Sequence, residues 1–127
     1  MKRLTSALGL LGAALLLAAC SSAASPSTAA PSVAADALQI TAKDLKFSTD
    51  RLEAPADEAF QIAFTNEEGA PHNVAIYKTE AASEKILAEP PFGGPKSVVY
   101  NVPAQPAGTY FFRCDVHPDM KGTLEVK

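Results

Sequence analysis

The fold is indicated most clearly by the stretch GTYFFRCDVHPDM, residues 108–120. Two-residue alternation places Tyr110, Phe112 and Cys114 on one face of a strand, and Arg113 on the other. Cys114 is therefore predicted to point inward where this strand ends. The tyrosine follows a Gly-Thr corner, where its hydroxyl can return to upstream backbone, as happens in Greek-key sandwiches.

The same alternation recurs along residues 38–127 in short runs separated by turn residues. These runs predict strands at 38–40, 60–64, 74–76, 98–102, 110–112 and 124–126. Residues 81–89 alone have helical composition, and Pro90 and Pro91 end that segment. The pattern predicts an all-β fold, a Greek-key β-sandwich with at most one short helix in a connection.

The first 19 residues have the features of an export signal. Lys2 and Arg3 precede an apolar stretch at 8–19 that is too short to span a bilayer comfortably. The stretch ends in Leu-Ala-Ala-Cys at 17–20, which resembles the bacterial lipobox, whose cysteine is alkylated with diacylglycerol before cleavage. We therefore expect a signal peptide at 1–19 and lipidation of Cys20, with acyl chains that give stable anchoring.

The chain after Cys20 divides into a tether and one domain. Residues 21–37 contain seven Ala, five Ser and two Pro, too few large apolar groups to offset the entropy of ordering. We expect a lipidated cysteine and disordered tether at 20–37, and a single domain at 38–127. A domain of this length can bury only one modest hydrophobic core.

Charge and cysteine content exclude two classes of protein. The formal net charge is −3, and loss of Lys2 and Arg3 by processing would make it −5, which argues against nucleic-acid binding through a basic surface. The chain has two cysteines. With Cys20 consumed by lipidation, Cys114 has no partner in the chain, and a disulfide scaffold is excluded.

A metal-ligand pattern follows the strand that leads to Cys114. His117 and Met120 follow it at three-residue intervals, and all three side chains are soft or borderline ligands. Pro118 restricts the loop between them. The other histidine, His72, is expected to begin a strand over 72–77 and to point inward at the end of that strand.

These residues supply what a trigonal His2Cys copper site with a weak axial thioether requires. Over nearly all of 38–127 the sequence resembles the cupredoxins, small blue-copper proteins that include plastocyanin and amicyanin. The resemblance rests on Pro-His-Asn at 71–73, Gly-Thr-Tyr-x-Phe-x-Cys at 108–114, the compact Cys-x2-His-x2-Met loop and a Gly-containing final strand. The short His-to-Met interval is more similar to that of amicyanin than to that of plastocyanin.

The resemblance implies a role for each site residue. His72, Cys114 and His117 would be the equatorial ligands of one type 1 copper ion, and Met120 the axial ligand. Asn73 would steady the ligand loop. His117 would be the ligand nearest solvent and the route by which electrons enter and leave.

Such a ligand set favours electron transfer, because it is a compromise between the ligands that Cu(I) and Cu(II) prefer. A change of oxidation state then requires little rearrangement. Four protein ligands leave no obvious position for a substrate, so an enzyme is disfavoured. A copper chaperone or copper buffer would use the same ligand types and is the alternative function. A Cys-His nucleophilic enzyme leaves Met120 unexplained, and zinc is a chemically possible occupant.

The expected setting is the outside of a bacterial membrane, on the periplasmic side or at the cell surface, with the protein a lipid-anchored monomer. Four acids lie beside the ligands in the chain, namely Glu67, Glu68, Asp115 and Asp119. They are predicted to flank the electron port and to attract a redox partner with a basic surface, such as a c-type cytochrome or an oxidase.

Overall fold

Nine β-strands form two sheets in residues 32–127, the part of the chain that the computed structural model describes. The strands are β1 (Leu38–Lys43), β2 (Lys46–Phe47), β3 (Arg51–Ala54), β4 (Phe60–Asn66), β5 (Ala75–Tyr77), β6 (Lys85–Leu87), β7 (Lys96–Val102), β8 (Gly108–Arg113) and β9 (Lys121–Val126). The described residues form no helix. Among them there is therefore no helix long and apolar enough to cross a membrane.

The first sheet has the strand order β2-β1-β4-β7. β1 runs parallel to β4, with Ile40 opposite Phe64, whereas β7 is antiparallel to β4. Burial alternates along β4, so that Ile62 and Phe64 are fully buried. This is the one-sided pattern expected of a sheet that packs against a second layer.

The second sheet has the order β3-β9-β8-β5-β6 and determines where the ligand residues meet. β5 and β8 are antiparallel neighbours, with Ala75 opposite Arg113. The start of β5 therefore lies beside the end of β8. His72 precedes β5 and Cys114 follows β8, so the topology brings the two to the same end of the sheet.

The core lies between the two sheets and consists of aliphatic and aromatic side chains. Phe64 is stacked on Tyr100, and Phe47 packs on both Phe64 and Phe112. Cys114 and Met120 belong to the same buried cluster. The ligand loop is therefore continuous with the core, and each large apolar side chain buried there contributes roughly 1.5–3 kcal/mol.

The all-β fold class is confirmed, and strands occur in all six segments predicted from sequence. Three further strands, β2, β3 and β6, are not among those predicted. The segment with helical composition, 81–89, contains β6 instead of a helix, because half-buried Ile86 and Leu87 lie in a strand that pairs with β5. Tertiary pairing there overrides the local composition.

The tyrosine corner is also confirmed: the Tyr110 hydroxyl donates a 2.9 Å hydrogen bond to the carbonyl of Pro106. The predictions of a signal peptide at 1–19 and of lipidation at Cys20, and most of the tether at 20–37, lie outside the described residues. At the end of the tether segment, Ala34 N donates to Gln61 Oε1 over 2.7 Å, and Ala37 is buried.

Candidate metal centre

His72 is placed by a short pairing with the segment before β7. Its backbone N donates to Phe92 O over 3.1 Å and its carbonyl accepts from Phe92 N over 3.0 Å, which forms an isolated bridge. The prediction of a strand over 72–77 is therefore wrong at its start. β5 begins at Ala75, and His72 instead forms an isolated bridge with Phe92. The imidazole is nevertheless buried, as expected.

The loop from Cys114 to Met120 is closed by its own backbone. Cys114 N donates to Met120 O over 2.8 Å, and Met120 N donates to His117 O over 2.9 Å. These bonds fold the loop tightly between β8 and β9, and they bury Met120 at its end. The three-residue spacing of Cys114, His117 and Met120 thus becomes a compact turn.

Three potential ligand atoms converge at this end of the sheet. His72 Nδ1 and His117 Nδ1 each lie 3.7 Å from Cys114 Sγ, and the ligand atoms all lie within 4.8 Å of one another. The two imidazole rings are 4.7 Å apart between centroids. His72 and Cys114 are fully buried, whereas His117 is partly exposed and is the member of the cluster closest to solvent.

The distances from Cys114 Sγ to the two imidazole nitrogens are short enough for one ion to contact the sulfur and either nitrogen. With bond lengths of about 2.3 Å to sulfur and about 2.05 Å to nitrogen, a separation of 3.7 Å between Cys114 Sγ and either imidazole nitrogen requires a bond angle of roughly 116°. Two imidazoles and a thiolate, with a buried methionine in the same loop, are a donor set that suits copper.

Asn73 connects the two chain segments that carry the buried ligands. Its Oδ1 accepts from Asp115 N over 2.9 Å, while its Nδ2 donates to Glu89 O over 2.8 Å and to Asp115 Oδ2 over 3.1 Å. Asn73 is fully buried. These contacts join the residue after His72 to the residue after Cys114.

Asp115 is held on its other side by Tyr77, whose hydroxyl donates to Asp115 Oδ1 over 2.6 Å. Burial opposes its charge, but hydrogen bonds from Tyr77 and Asn73 and the nearby Arg113 lower the pKa of Asp115 below its usual value. Burial and the same carboxylate raise the pKa of Tyr77. Asp115 is therefore an ionised acid bonded within the protein.

Glu68 contacts the imidazole of His72 on the side away from Cys114. Glu68 Oε1 lies 2.6 Å from His72 Nε2, and the carboxylate accepts from the backbone N–H groups of Asp44 and Leu45 over 3.1 and 3.0 Å. Chiefly through the Leu45 hydrogen bond, with a contribution from His72, the pKa of Glu68 is lowered.

Two of the four acids predicted to flank the port, Glu68 and Asp115, make hydrogen bonds within the protein. Their partners, His72 and Tyr77, could not be identified from the order of residues in the chain. Glu67 and Asp119 are exposed, as expected, and Glu67 lies 3.5 Å from Lys43.

Sequence reasoning also missed Asn66, which shapes the loop before His72. Its Nδ2 donates to Ala70 O and Phe92 O over 2.8 and 2.7 Å, and its Oδ1 accepts from Glu68 N over 3.0 Å. A buried asparagine at a strand end gives no distinctive sequence signal. The spacing of Glu68 four residues before His72 was the one available indication of their contact.

A sandwich of two β-sheets with a His2Cys cluster at one end, buried except for part of His117, defines a small β-sandwich metalloprotein. Residues 9–126 match the sequence profile of the cupredoxin-like domain, and the chain belongs to that family. Amicyanin-alpha of Methylorubrum extorquens is 33% identical over 91 residues, which cover 70% of this chain and 71% of that protein.

Two solved structures illustrate the similarity in fold. Dithionite-reduced auracyanin from Roseiflexus castenholzii has a TM-score of 0.65 at 21% identity, covering 76% of this chain and 99% of its own. A mutant of amicyanin in the Cu(I) form has a TM-score of 0.57 at 25% identity, covering 75% of this chain and 86% of its own.

Proposed function

We propose that the protein transfers single electrons through one type 1 copper ion held by His72, Cys114 and His117, with Met120 as the axial ligand. The observation that carries this proposal is the convergence of both imidazole Nδ1 atoms on Cys114 Sγ, each at 3.7 Å. A copper ion bound there supplies a one-electron redox couple. Membership of the cupredoxin-like family and the Cu(I) form of a related amicyanin support copper as the occupant.

The surroundings of the site favour electron transfer over copper delivery. Cys114 and His72 are buried, and the backbone bonds of the 114–120 loop and the side chain of Asn73 hold the ligands in place. A fixed ligand set keeps rearrangement between oxidation states small. A protein that hands copper to an acceptor would instead need a ligand loop that opens readily.

Access to the site is proposed through His117. It is the partly exposed member of the cluster, and exposed Val116 and Pro118 lie next to it in the chain. An imidazole at the surface gives a partner a short path to the buried sulfur of Cys114. The two buried ligands would serve to hold the ion and exclude water.

We further propose that the protein works outside the cytoplasm, tethered to a bacterial membrane. The support is the sequence pattern of a signal peptide at 1–19, a lipid-modified Cys20 and a tether at 20–37 that presents the domain at 38–127. A basic redox partner, such as a c-type cytochrome or an oxidase, would fit exposed Glu67 and Asp119 and the acidic net charge.

Voltammetry of the copper-loaded protein, combined with a chelator challenge, tests the proposed function. We expect a reversible one-electron wave, and copper that stays bound when a moderate Cu(I) chelator is added. An irreversible wave together with rapid loss of copper to the chelator would contradict electron transfer and would favour copper delivery.

A further inference from the structure

The carboxylate of Glu68 connects an exposed hairpin with a fully buried imidazole. Its side chain is 24% exposed, whereas that of His72 is 0% exposed. The 2.6 Å contact between Glu68 Oε1 and His72 Nε2 is at the short end of the range for charge-assisted hydrogen bonds. Glu67, the neighbouring acid, instead faces solvent and Lys43.

The turn between β1 and β2 holds this carboxylate in place. Asp44 and Leu45 both have a left-handed backbone, with φ values of 52° and 56°. In this conformation, Asp44 N donates to Glu68 Oε2 and Leu45 N donates to Glu68 Oε1. Asn66 fixes the backbone of Glu68 from the other side by accepting from its N–H.

The contact also determines which nitrogen of His72 carries the hydrogen. Both oxygens of Glu68 already accept hydrogen bonds from backbone N–H groups, so the nitrogen of His72 that faces Oε1 is assigned as the donor. The hydrogen therefore lies on Nε2, and Nδ1, which faces Cys114 Sγ, keeps its lone pair. A carboxylate in this position also fixes the orientation of the imidazole ring and makes it a stronger ligand.

We propose that Glu68 is a positioning residue, held by the β1–β2 turn, that fixes the metal-binding tautomer of His72 and lowers the reduction potential of the site. This inference rests on the proposed function. It predicts that the stronger His72 ligand stabilises Cu(II) more than Cu(I). The exposed turn at Asp44 and Leu45 thereby becomes part of the support of the metal centre.

The test compares Glu68→Gln with Glu67→Gln in the copper-loaded protein. Both variants remove one negative charge from adjacent positions, but only Glu68 contacts His72. Loss of a residue that supports a ligand typically weakens metal binding 10- to 100-fold. If the loss falls mainly on Cu(II), a tenfold effect raises the potential by about 59 mV for a one-electron couple. Glu67→Gln is expected to change the Cu(II)/Cu(I) preference less than twofold, because its charge is exposed and screened.

Nuclear magnetic resonance of the imidazole nitrogens tests the tautomer without relying on the variant. In the metal-free wild-type protein, we expect the hydrogen of His72 on Nε2. A hydrogen on Nδ1 would overturn the inference even if Glu68→Gln fails to fold. An equal potential in the two variants would also overturn it.

The outcomes for this inference and for the proposed function are separable. A wild-type protein that binds copper without a reversible one-electron couple would contradict the proposed function. A wild-type protein with a reversible couple, in which Glu68→Gln and Glu67→Gln behave alike, would contradict the role of Glu68 alone.

Discussion

Replacement of Asn73 by alanine should destabilise the protein more than the loss of a single hydrogen bond at the surface would. The variant removes three hydrogen bonds from a fully buried side chain and leaves Asp115 N and Glu89 O without the partner that each has now. The two bonds to backbone groups contribute about 1 kcal/mol each, and the bond to the ionised carboxylate of Asp115 about 1.5 kcal/mol. We therefore expect the free energy of unfolding to fall by about 3.5 kcal/mol.

Urea and thermal unfolding of the metal-free protein measure this loss. A change of 1 kcal/mol shifts the midpoint by about 4–8 °C in a domain of 60–100 residues, so the expected shift is roughly 14–28 °C. Copper should also dissociate faster from Asn73→Ala, because Asn73 joins the segments of His72 and Cys114. An unchanged m-value would show that the loss lies in stability and not in the denatured state.

Asn101→Ala is the matched control. Asn101 lies exposed on β7, and its Oδ1 accepts one hydrogen bond, from Gln61 Nε2 over 2.9 Å. A loss below about 0.5 kcal/mol is expected there, as for most exposed substitutions. If Asn73→Ala lost no more stability than Asn101→Ala, the assigned hydrogen-bond network would not hold the ligand segments together.

Four further variants test the ligand hierarchy, the docking charge and the anchor. Met120→Leu should retain copper and raise the reduction potential, whereas His72→Ala should lose an equatorial ligand; equal copper loss in both would contradict the hierarchy. Joint neutralisation of Glu67 and Asp119 should flatten the decline in electron-transfer rate with rising salt for a basic partner, and an unchanged slope would place docking elsewhere. Cys20→Ser should release the protein from membranes, and continued membrane association would require another anchor.

The central part of the fold could be predicted because its signals are local. Alternation along β4 and β8 predicted the buried faces, and the three-residue spacing from Cys114 to Met120 places three ligand types in one turn. The position of His72 could be anticipated in part. Its burial was expected, but the start of the strand was not, because the bridge to Phe92 comes from a residue distant in sequence.

The parts that sequence did not reveal depend on long-range partners. The segment of β6 has helical composition but forms a strand, because it pairs with the edge of β5. From sequence alone, Glu68 is indistinguishable from a surface acid. Its two backbone amide donors belong to the turn at Asp44 and Leu45, more than 20 residues away. Asp115 likewise accepts hydrogen bonds from Tyr77 and Asn73, which lie on a neighbouring segment of the chain. The carboxylates of Glu68 and Asp115 are therefore engaged within the protein, which their positions in the sequence do not indicate.

The visible absorption spectrum of the Cu(II)-loaded protein tests the central claim most directly. A thiolate of Cys114 bound in the equatorial plane overlaps the metal strongly, so wild-type protein with one equivalent of copper should be intensely coloured, and Cys114→Ser should lose the colour. Wild-type protein that binds one equivalent of Cu(II) and stays nearly colourless would contradict the assignment of a type 1 copper site.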